Sequence, residues 1–264
     1  MSKHTTFKIG GPTDYFIIVD TKQELKEAMK MNNLKMIGNG SNLIVSDKGY
    51  RGTFIKLGLS FTRISYEKPY ITIGAGATIN ELLSFCKRLG LTGLEGLAGI
   101  PATIGGAIYM NAGYTRSIAN SVVEVRGLTL AGIDLRFKNN SCFFGYRSSI
   151  FQNTNTIILE AKLKVEQTKA YEVNKKIRQL LDKRNNTQPI EYPSCGSIFK
   201  KANISSCRGL RIGDIEVSTK CSSFFINHGK GTAEEIVALI ELVRAHVGSK
   251  IELEAEIIGE GYES

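Results

Sequence analysis

The chain has 264 residues, 42% of them hydrophobic and 22% charged, which excludes a disordered polymer, a collagen-type repeat and a disulfide-dense miniprotein. Lysine and arginine total 34 against 25 aspartates and glutamates, a formal net charge of +9 that favours anionic partners. Glycine is high at 27 and tryptophan is absent. The elements then follow in chain order. Tyr15-Phe-Ile-Ile-Val19 reads as a short buried strand. Thr21 with Glu24 three residues on forms a capping box, and Leu25, Ala28 and Met29 give the helix behind it an apolar stripe. Leu43–Val45, Thr53–Leu57 and Tyr70–Ile73 read as further strands. A second capping box, Thr78 and Glu81, opens a helix carrying Leu82, Leu83, Phe85, Cys86 and Leu89, and Gly90 sits where a C-cap glycine belongs. Residues 91–114 are glycine-rich and follow no single period. Val122–Leu130 and Ile157–Val165 read as longer strands.

After Val165 the texture changes. A charged helix is expected over about Ala170–Arg184, with Val173, Ile177, Leu180 and Leu181 on its apolar side, followed by the polar stretch Asn185–Pro189. A third capping box, Thr232 and Glu235, opens a helix running to Val247. The last strand is expected over Ile251–Ile258, with Ile251, Leu253, Ala255 and Ile257 alternating against Glu252, Glu254 and Glu256. Strands and helices in mixed order predict an α+β fold rather than a doubly wound parallel sheet. The change of texture predicts a domain boundary near residue 166, giving segments 1–165 and 166–264.

No apolar run is long enough to cross a membrane, and no signal-peptide h-region follows Met1, so a cytoplasmic protein without membrane insertion is expected. Cys86, Cys142, Cys195, Cys207 and Cys221 form no CxxC pair, and with His4, His228 and His246 as the histidines no metal site is expected. The densest basic stretch, Lys169 to Arg184, lacks interleaved aromatics, so no nucleic-acid partner is expected.

Five segments could carry chemistry. In Gly38-Asn39-Gly40-Ser41-Asn42-Leu43, glycines let the backbone approach a ligand, and exposed N–H groups with the Ser41 hydroxyl suit phosphate oxygens. It is neither a Walker A loop nor a Rossmann fingerprint, and a plain turn between strands also has this form. Gly93 to Gly113 holds six glycines and one proline among apolar residues, as would a backbone lining a flat ligand or a bend packed into the core. Together the two runs suggest a dinucleotide site of non-Rossmann type. Arg147 stands among aromatic and aliphatic neighbours in Phe143–Phe151, paired with an acid, aimed at an anion or exposed on a hairpin. Ser197 follows Gly196 on a turn; no GxSxG elbow surrounds it, so it suits a proton donor or a plain turn serine better than a hydrolase nucleophile. Glu252, Glu254 and Glu256 share one face of the last strand, and periodicity does not choose among them.

In this order the segments resemble the UDP-N-acetylenolpyruvoylglucosamine reductase family. The resemblance covers nearly the whole chain. His4-Thr-Thr-Phe-Lys-Ile-Gly-Gly-Pro12 is similar to the family's opening, and Gly38–Leu43 and Gly99-Ile100-Pro101-Ala-Thr103-Ile-Gly105-Gly106 to its FAD-binding loops, with Asn111-Ala-Gly113 continuing the second. Tyr146-Arg147, Pro193-Ser-Cys-Gly-Ser-Ile-Phe-Lys200, Val217-Ser218 and Leu253-Glu-Ala-Glu-Ile-Ile-Gly259 resemble its later motifs.

The resemblance implies two α+β subdomains, about 1–58 and 59–165, holding non-covalent FAD as in the vanillyl-alcohol-oxidase superfamily. A C-terminal substrate domain, 166–264, would return its last strand and tail toward them. It implies that NADPH reduces FAD and leaves, and that hydride then passes to C3 of an enolpyruvyl sugar nucleotide. Arg147 is similar to the arginine that stabilises the developing enolate, Glu256 to the acid that assists it, and Ser197 to the proton donor for C2. Arg184 resembles an arginine near the substrate in the shorter subgroup without an extra tyrosine loop, and Tyr146 and Lys201 are expected to bind substrate as well. A monomer is expected. The chain departs from the family in three places. Cys221 stands where histidine is usual, Lys201–Arg208 is short, and Gly113-Tyr-Thr replaces a glycine-richer turn. An oxidase of the same superfamily, or a non-catalytic nucleotide-binding protein, is the competing expectation; a protein unable to take up FAD would exclude both flavoenzyme readings.

Overall fold

The computed structural model describes residues 1–248 and 250–262. In chain order it has β1 (Thr13–Val19), α1 (Lys22–Ala28), β2 (Leu34–Met36), β3 (Leu43–Val45), β4 (Tyr50–Leu57), β5 (Ile64–Glu67), β6 (Tyr70–Gly74), α2 (Ile79–Leu89) and β7 (Leu91–Thr92). There follow α3 (Ile104–Tyr109), β8 (Val122–Thr129), β9 (Asp134–Lys138), β10 (Thr156–Lys164), β11 (Glu166–Gln167) and α4 (Ala170–Thr187). Last come β12 (Arg211–Ile212), β13 (Ile215–Val217), β14 (Phe225–Asn227), α5 (Ala233–Val247) and β15 (Glu256–Ile258). The α+β class is as expected. All three capping boxes form: each threonine hydroxyl accepts from its N3 backbone, and the N3 glutamate returns a bond to the cap backbone. Gly90 caps α2 in the left-handed region, at φ 68°.

The chain forms two units. One comprises residues 16–38 and 54–183. Its main sheet has the order β5-β6-β10-β8-β9, antiparallel throughout. Aliphatic residues on its core face, Ile71, Ile73, Val125 and Leu163 among them, pack under the apolar stripe of α2 and under α3 and α4. A smaller core, centred on Val19, Leu25, Ile55, Leu128 and Ile157, fills beneath α1. Glu95 is a buried acid here, 8% exposed. Burial works to raise its carboxyl, but hydrogen bonds from the Thr92 hydroxyl (2.5 Å) and Gly93 N–H (2.8 Å), with Lys176 at 3.9 Å, hold it below the ordinary value. It ties the β7 turn to α4.

The other unit comprises residues 1–15, 39–53 and 184–264. β12, β13 and β14 form an antiparallel sheet packed by Ile215, Val217 and Phe225 against Ile236, Leu239, Ile240 and Val243 of α5. The N-terminal segment joins this core through Phe7 and Ile9, and the Asn227 amide donates to the Phe7 carbonyl at 3.0 Å. β3 and β15 pair in parallel in the register Leu43–Glu256, Ile44–Ile257 and Val45–Ile258.

Two expectations shift. The charged helix does not stop at Arg184 but runs on through Thr187, so the first residues of the polar stretch are its last turn. The final strand is three residues, not eight. The Ile198 carbonyl accepts from both Glu254 N (2.7 Å) and Ala255 N (3.3 Å). Two residues therefore face one partner, as in a bulge, and the alternation read along 251–258 breaks there.

The cysteines are reduced; Cys86, Cys142, Cys195 and Cys207 are buried and Cys221 half-buried. Burial pushes the Cys86 and Cys195 thiols up to about 12 and that of Cys142 to about 11. Since the thiolate is the reacting form, alkylation of the folded protein is expected to modify Cys221 first. Mass spectrometry before and after denaturation checks this; equal native labelling of Cys195 and Cys221 would contradict it.

Candidate functional site

The expected site residues divide between the units. Asn39–Leu43, Arg184, Ser197, Lys201 and Glu256 lie in one; Gly38, Gly99–Gly106, Asn111, Gly113, Tyr146 and Arg147 lie in the other.

In the first of these, the Asn39–Leu43 run is stitched to the acidic segment. The Asn42 amide donates to the Glu254 carbonyl (2.9 Å), and Glu256 N donates to the Asn42 carbonyl (3.0 Å). Gly40 takes φ 59°, and a Cβ there would collide with the His4 carbonyl oxygen. Thr6 N donates to the Gly40 carbonyl at 3.2 Å, so the N-terminal motif braces the turn from behind. Among the described residues, no protein acceptor takes the N–H of Gly40 or Ser41 or the Ser41 hydroxyl. Unserved donors on a tight turn suit phosphate oxygens.

Ser197 lies on the neighbouring segment. It bridges Phe224, and Ile198 N donates to the Ser223 carbonyl at 2.9 Å. Through the Ile198 carbonyl this segment binds residues 254 and 255. Ser197, Glu254 and Glu256 are thus held together by backbone pairing. Gly196 before the serine has φ 82° and open space where a Cβ would project. The three glutamates differ in surroundings. Glu252 is exposed and paired with Lys200 at 3.5 Å, a solvated surface pair, whereas Glu254 and Glu256 are half-buried. Arg184 lies in the last turns of α4, and Lys201 is exposed at φ 45°. Cys221 sits on the turn before β14, its sulfur 3.2 Å from the Ser223 hydroxyl.

In the other unit, the glycine-rich run resolves into β7, a turn and the short α3. Thr103 caps α3, its hydroxyl accepting from Gly106 N at 3.3 Å. Ile104 N and Gly105 N donate to the carbonyls of Ala77 (2.7 Å) and Ala75 (2.8 Å). Gly38 passes so close to the Thr103 hydroxyl that a Cβ would strike it. Gly99 and Pro101 are exposed and Ile100 half-buried, an apolar backbone edge open to a flat ligand.

Beyond α3, Asn111 is 8% exposed with φ 43°. Its side-chain nitrogen donates to the Gly145 carbonyl (2.7 Å), and its side-chain Oδ1 accepts from Ala119 N (3.3 Å). Gly145 and Ser148 exchange backbone hydrogen bonds at 3.0 and 3.4 Å, which puts Tyr146 and Arg147 at the tip of a tight turn. Arg147 takes φ 52°; its guanidinium donates to the Gly113 carbonyl at 3.2 Å and lies 5.1 Å above the Tyr146 ring. Sequence reasoning missed what supports this turn. Ser149, 1% exposed, donates to the Tyr109 carbonyl at 2.8 Å, and Gln152 donates beside it. Neutral side chains in a short irregular segment carry no periodicity or charge signal that would have found them.

Comparison with known proteins gives the following matches. Residues 13–133 match a family model described as an FAD binding domain, and residues 188–258 one described as UDP-N-acetylenolpyruvoylglucosamine reductase, C-terminal domain. The chain is 38% identical to UDP-N-acetylenolpyruvoylglucosamine reductase 2 of Bacillus cereus, over 100% of this chain and 92% of that protein. It is 34% identical to the reductase of Halalkalibacterium halodurans, over 98% and 93% of the two chains. The crystal structure of the Thermus caldophilus UDP-N-acetylenolpyruvylglucosamine reductase superposes with a TM-score of 0.87 at 31% identity, over 97% of this chain and 96% of that one.

Proposed function

Because the chain belongs to the UDP-N-acetylenolpyruvoylglucosamine reductase family, we propose that it reduces UDP-N-acetylglucosamine enolpyruvate to UDP-N-acetylmuramate, with NADPH as electron donor. The observation that carries this reading is the full-length match to reductases of this family, with an FAD binding domain over residues 13–133 and the reductase C-terminal domain over 188–258. It is an FAD-dependent oxidoreductase. The unserved N–H groups of Gly40 and Ser41, with Asn39, Asn42 and Leu43, would hold the pyrophosphate, which fits the donors present. Gly38, Gly99, Ile100, Pro101, Thr103, Gly105, Gly106, Asn111 and Gly113 would line the rest of the cofactor. FAD, when bound, supplies the hydride that goes to C3 of the enolpyruvyl group.

The protein's own residues then manage charge and the proton. As hydride reaches C3, the C2–C3 π electrons move onto the substrate carboxylate as an enolate. Arg147 stabilises that charge as it develops, and Glu256 assists it. The Ser197 hydroxyl gives its proton to C2, and the serine regains one from solvent. A hydroxyl is a weak acid, but an enolate is a strong base, so placement suffices. Arg184, Lys201 and Tyr146 would contact the sugar nucleotide. On this reading the segments 1–165 and 166–264 serve cofactor and substrate, and the enzyme acts as a cytoplasmic monomer. Among the described residues no helix is long and apolar enough to cross a membrane.

Steady-state NADPH oxidation with mass analysis of the product tests the assignment. NADPH loss that depends on the enolpyruvyl sugar nucleotide, with a product two hydrogens heavier, is expected; NADPH loss indifferent to that substrate would refute it. The cofactor turn has its own test. In Gly40→Ala the methyl must displace the His4 backbone, and strain of this kind costs about 1–3 kcal/mol. FAD affinity is therefore expected to fall roughly tenfold or more, measured by fluorescence titration of apoprotein. Unchanged affinity would remove this turn from the cofactor site.

A further inference from the structure

The strongest unassigned feature is a neutral amide. Gln152 sits at the end of the one-turn segment Ile150–Gln152, and Phe151 before it is 2% exposed and packs edge-to-face on Phe137, centroids 5.1 Å apart. The backbone that carries Gln152 is therefore anchored in the core. Its amide nitrogen donates to the Tyr109 carbonyl (2.9 Å) and to the Arg147 carbonyl (3.1 Å), with the Met110 sulfur at 3.4 Å. An amide NH₂ has two hydrogens, and here each has a backbone carbonyl. The orientation is fixed by chemistry, since the amide oxygen in that place would face two carbonyl oxygens. One carbonyl belongs to the last residue of α3, which follows the Gly99–Gly106 run. The other belongs to Arg147, held in the sparsely populated left-handed region at φ 52°. That backbone persists only if its surroundings over-determine it. Asn111 supports the same turn from its other side, through Gly145.

The geometry points to Gln152 as a positioning residue: it locks the Arg147 turn to the end of α3 and thereby sets the arginine's position relative to the cofactor-binding run. This rests on the reading given above for Arg147 and that run. Gln152 itself touches no reacting atom. Its removal acts through Arg147, and a flexible side chain whose donors can reach both carbonyls replaces it.

The variants are Gln152→Leu, which keeps bulk and removes both donors, and Gln152→Lys, whose ammonium can serve both carbonyls. The two half-reactions of FAD-loaded enzyme are followed separately. Gln152→Leu is expected to slow reoxidation by the enolpyruvyl sugar nucleotide roughly tenfold more than reduction by NADPH, a misplacement effect. Gln152→Lys is expected to recover most of that loss. In an Arg147→Ala background the Gln152→Leu change is expected to add little, because coupled residues are non-additive. An undiminished loss on top of Arg147→Ala, or no loss at all, would overturn the proposal. Should Gln152→Leu fail to fold, Gln152→Asn, too short to reach both carbonyls, takes its place with the same expectations. Hydrogen exchange gives a readout free of activity. The Gly145 and Ser148 amides are expected to exchange faster in Gln152→Leu and to recover in Gln152→Lys, and unchanged exchange would overturn the proposal. If wild-type protein does not use the sugar nucleotide at all, the proposed function fails while exchange still decides the role of Gln152.

Discussion

Replacing Ser197 with alanine is expected to slow reoxidation of the reduced flavin by the enolpyruvyl sugar nucleotide by about 10²–10⁴-fold, the usual range for a lost general acid. Reduction by NADPH should stay within about twofold of wild type, since no proton reaches C2 in that half. The fold is not expected to suffer. Ser197 is half-buried, and its backbone, not its hydroxyl, makes the bridge to Phe224. Its neighbour Ile198 carries the bonds that hold residues 254 and 255. Stopped-flow absorbance of the flavin band separates the two halves. Equal slowing of both would assign Ser197 to general site structure and leave the C2 proton to another group.

Replacing Arg147 with alanine is expected to cost about 10²–10³-fold in the same reoxidation step, as for loss of a group aimed at developing charge. Arg147→Lys should recover only part of it, because an ammonium keeps the charge but loses the planar fork that matches a carboxylate. The left-handed backbone at φ 52° disfavours any residue with a Cβ, so alanine inherits the strain already present and adds little. The guanidinium bond to the Gly113 carbonyl is worth roughly 1 kcal/mol, and its place over the Tyr146 ring about 0.5–1 kcal/mol. Thermal unfolding should therefore shift by only a few degrees while reoxidation collapses. A variant that unfolds as readily as it loses rate would make Arg147 a structural residue.

What the sequence discloses about this molecule depends on how local the cause is. Thr21, Thr78 and Thr232 are legible as helix starts because cap and N3 glutamate lie three residues apart, and each box forms. Gly90 is legible for the same reason. The α3 helix is not. It has six residues, two of them glycine, and its start is set by contacts from Ala75 and Ala77, far back in the chain. The strands β12 to β14 have two or three residues each and fall below any periodic window. Residues 251–258 mislead in the opposite sense. Their alternation runs unbroken from Ile251 to Ile257 in the sequence, yet the Ile198 carbonyl takes two consecutive N–H groups and breaks the strand.

The site shows the same division. Gly40 is readable as a residue needing unusual backbone, though not that the His4 carbonyl is what it avoids. Periodicity left Glu252, Glu254 and Glu256 equivalent; the resemblance singled out Glu256, and the structure separates Glu252 from the other two by its surface pair with Lys200. Gln152 emits no signal at all, because its role arises from two carbonyls that only the folded turn brings within reach.

The most direct measurement is an anaerobic single turnover of the FAD-loaded protein. NADPH should bleach the flavin band, and one equivalent of UDP-N-acetylglucosamine enolpyruvate, added after excess NADPH is removed, should restore it while one equivalent of UDP-N-acetylmuramate appears. A flavin that NADPH bleaches but the sugar nucleotide leaves reduced, while oxygen restores it, would contradict the assignment.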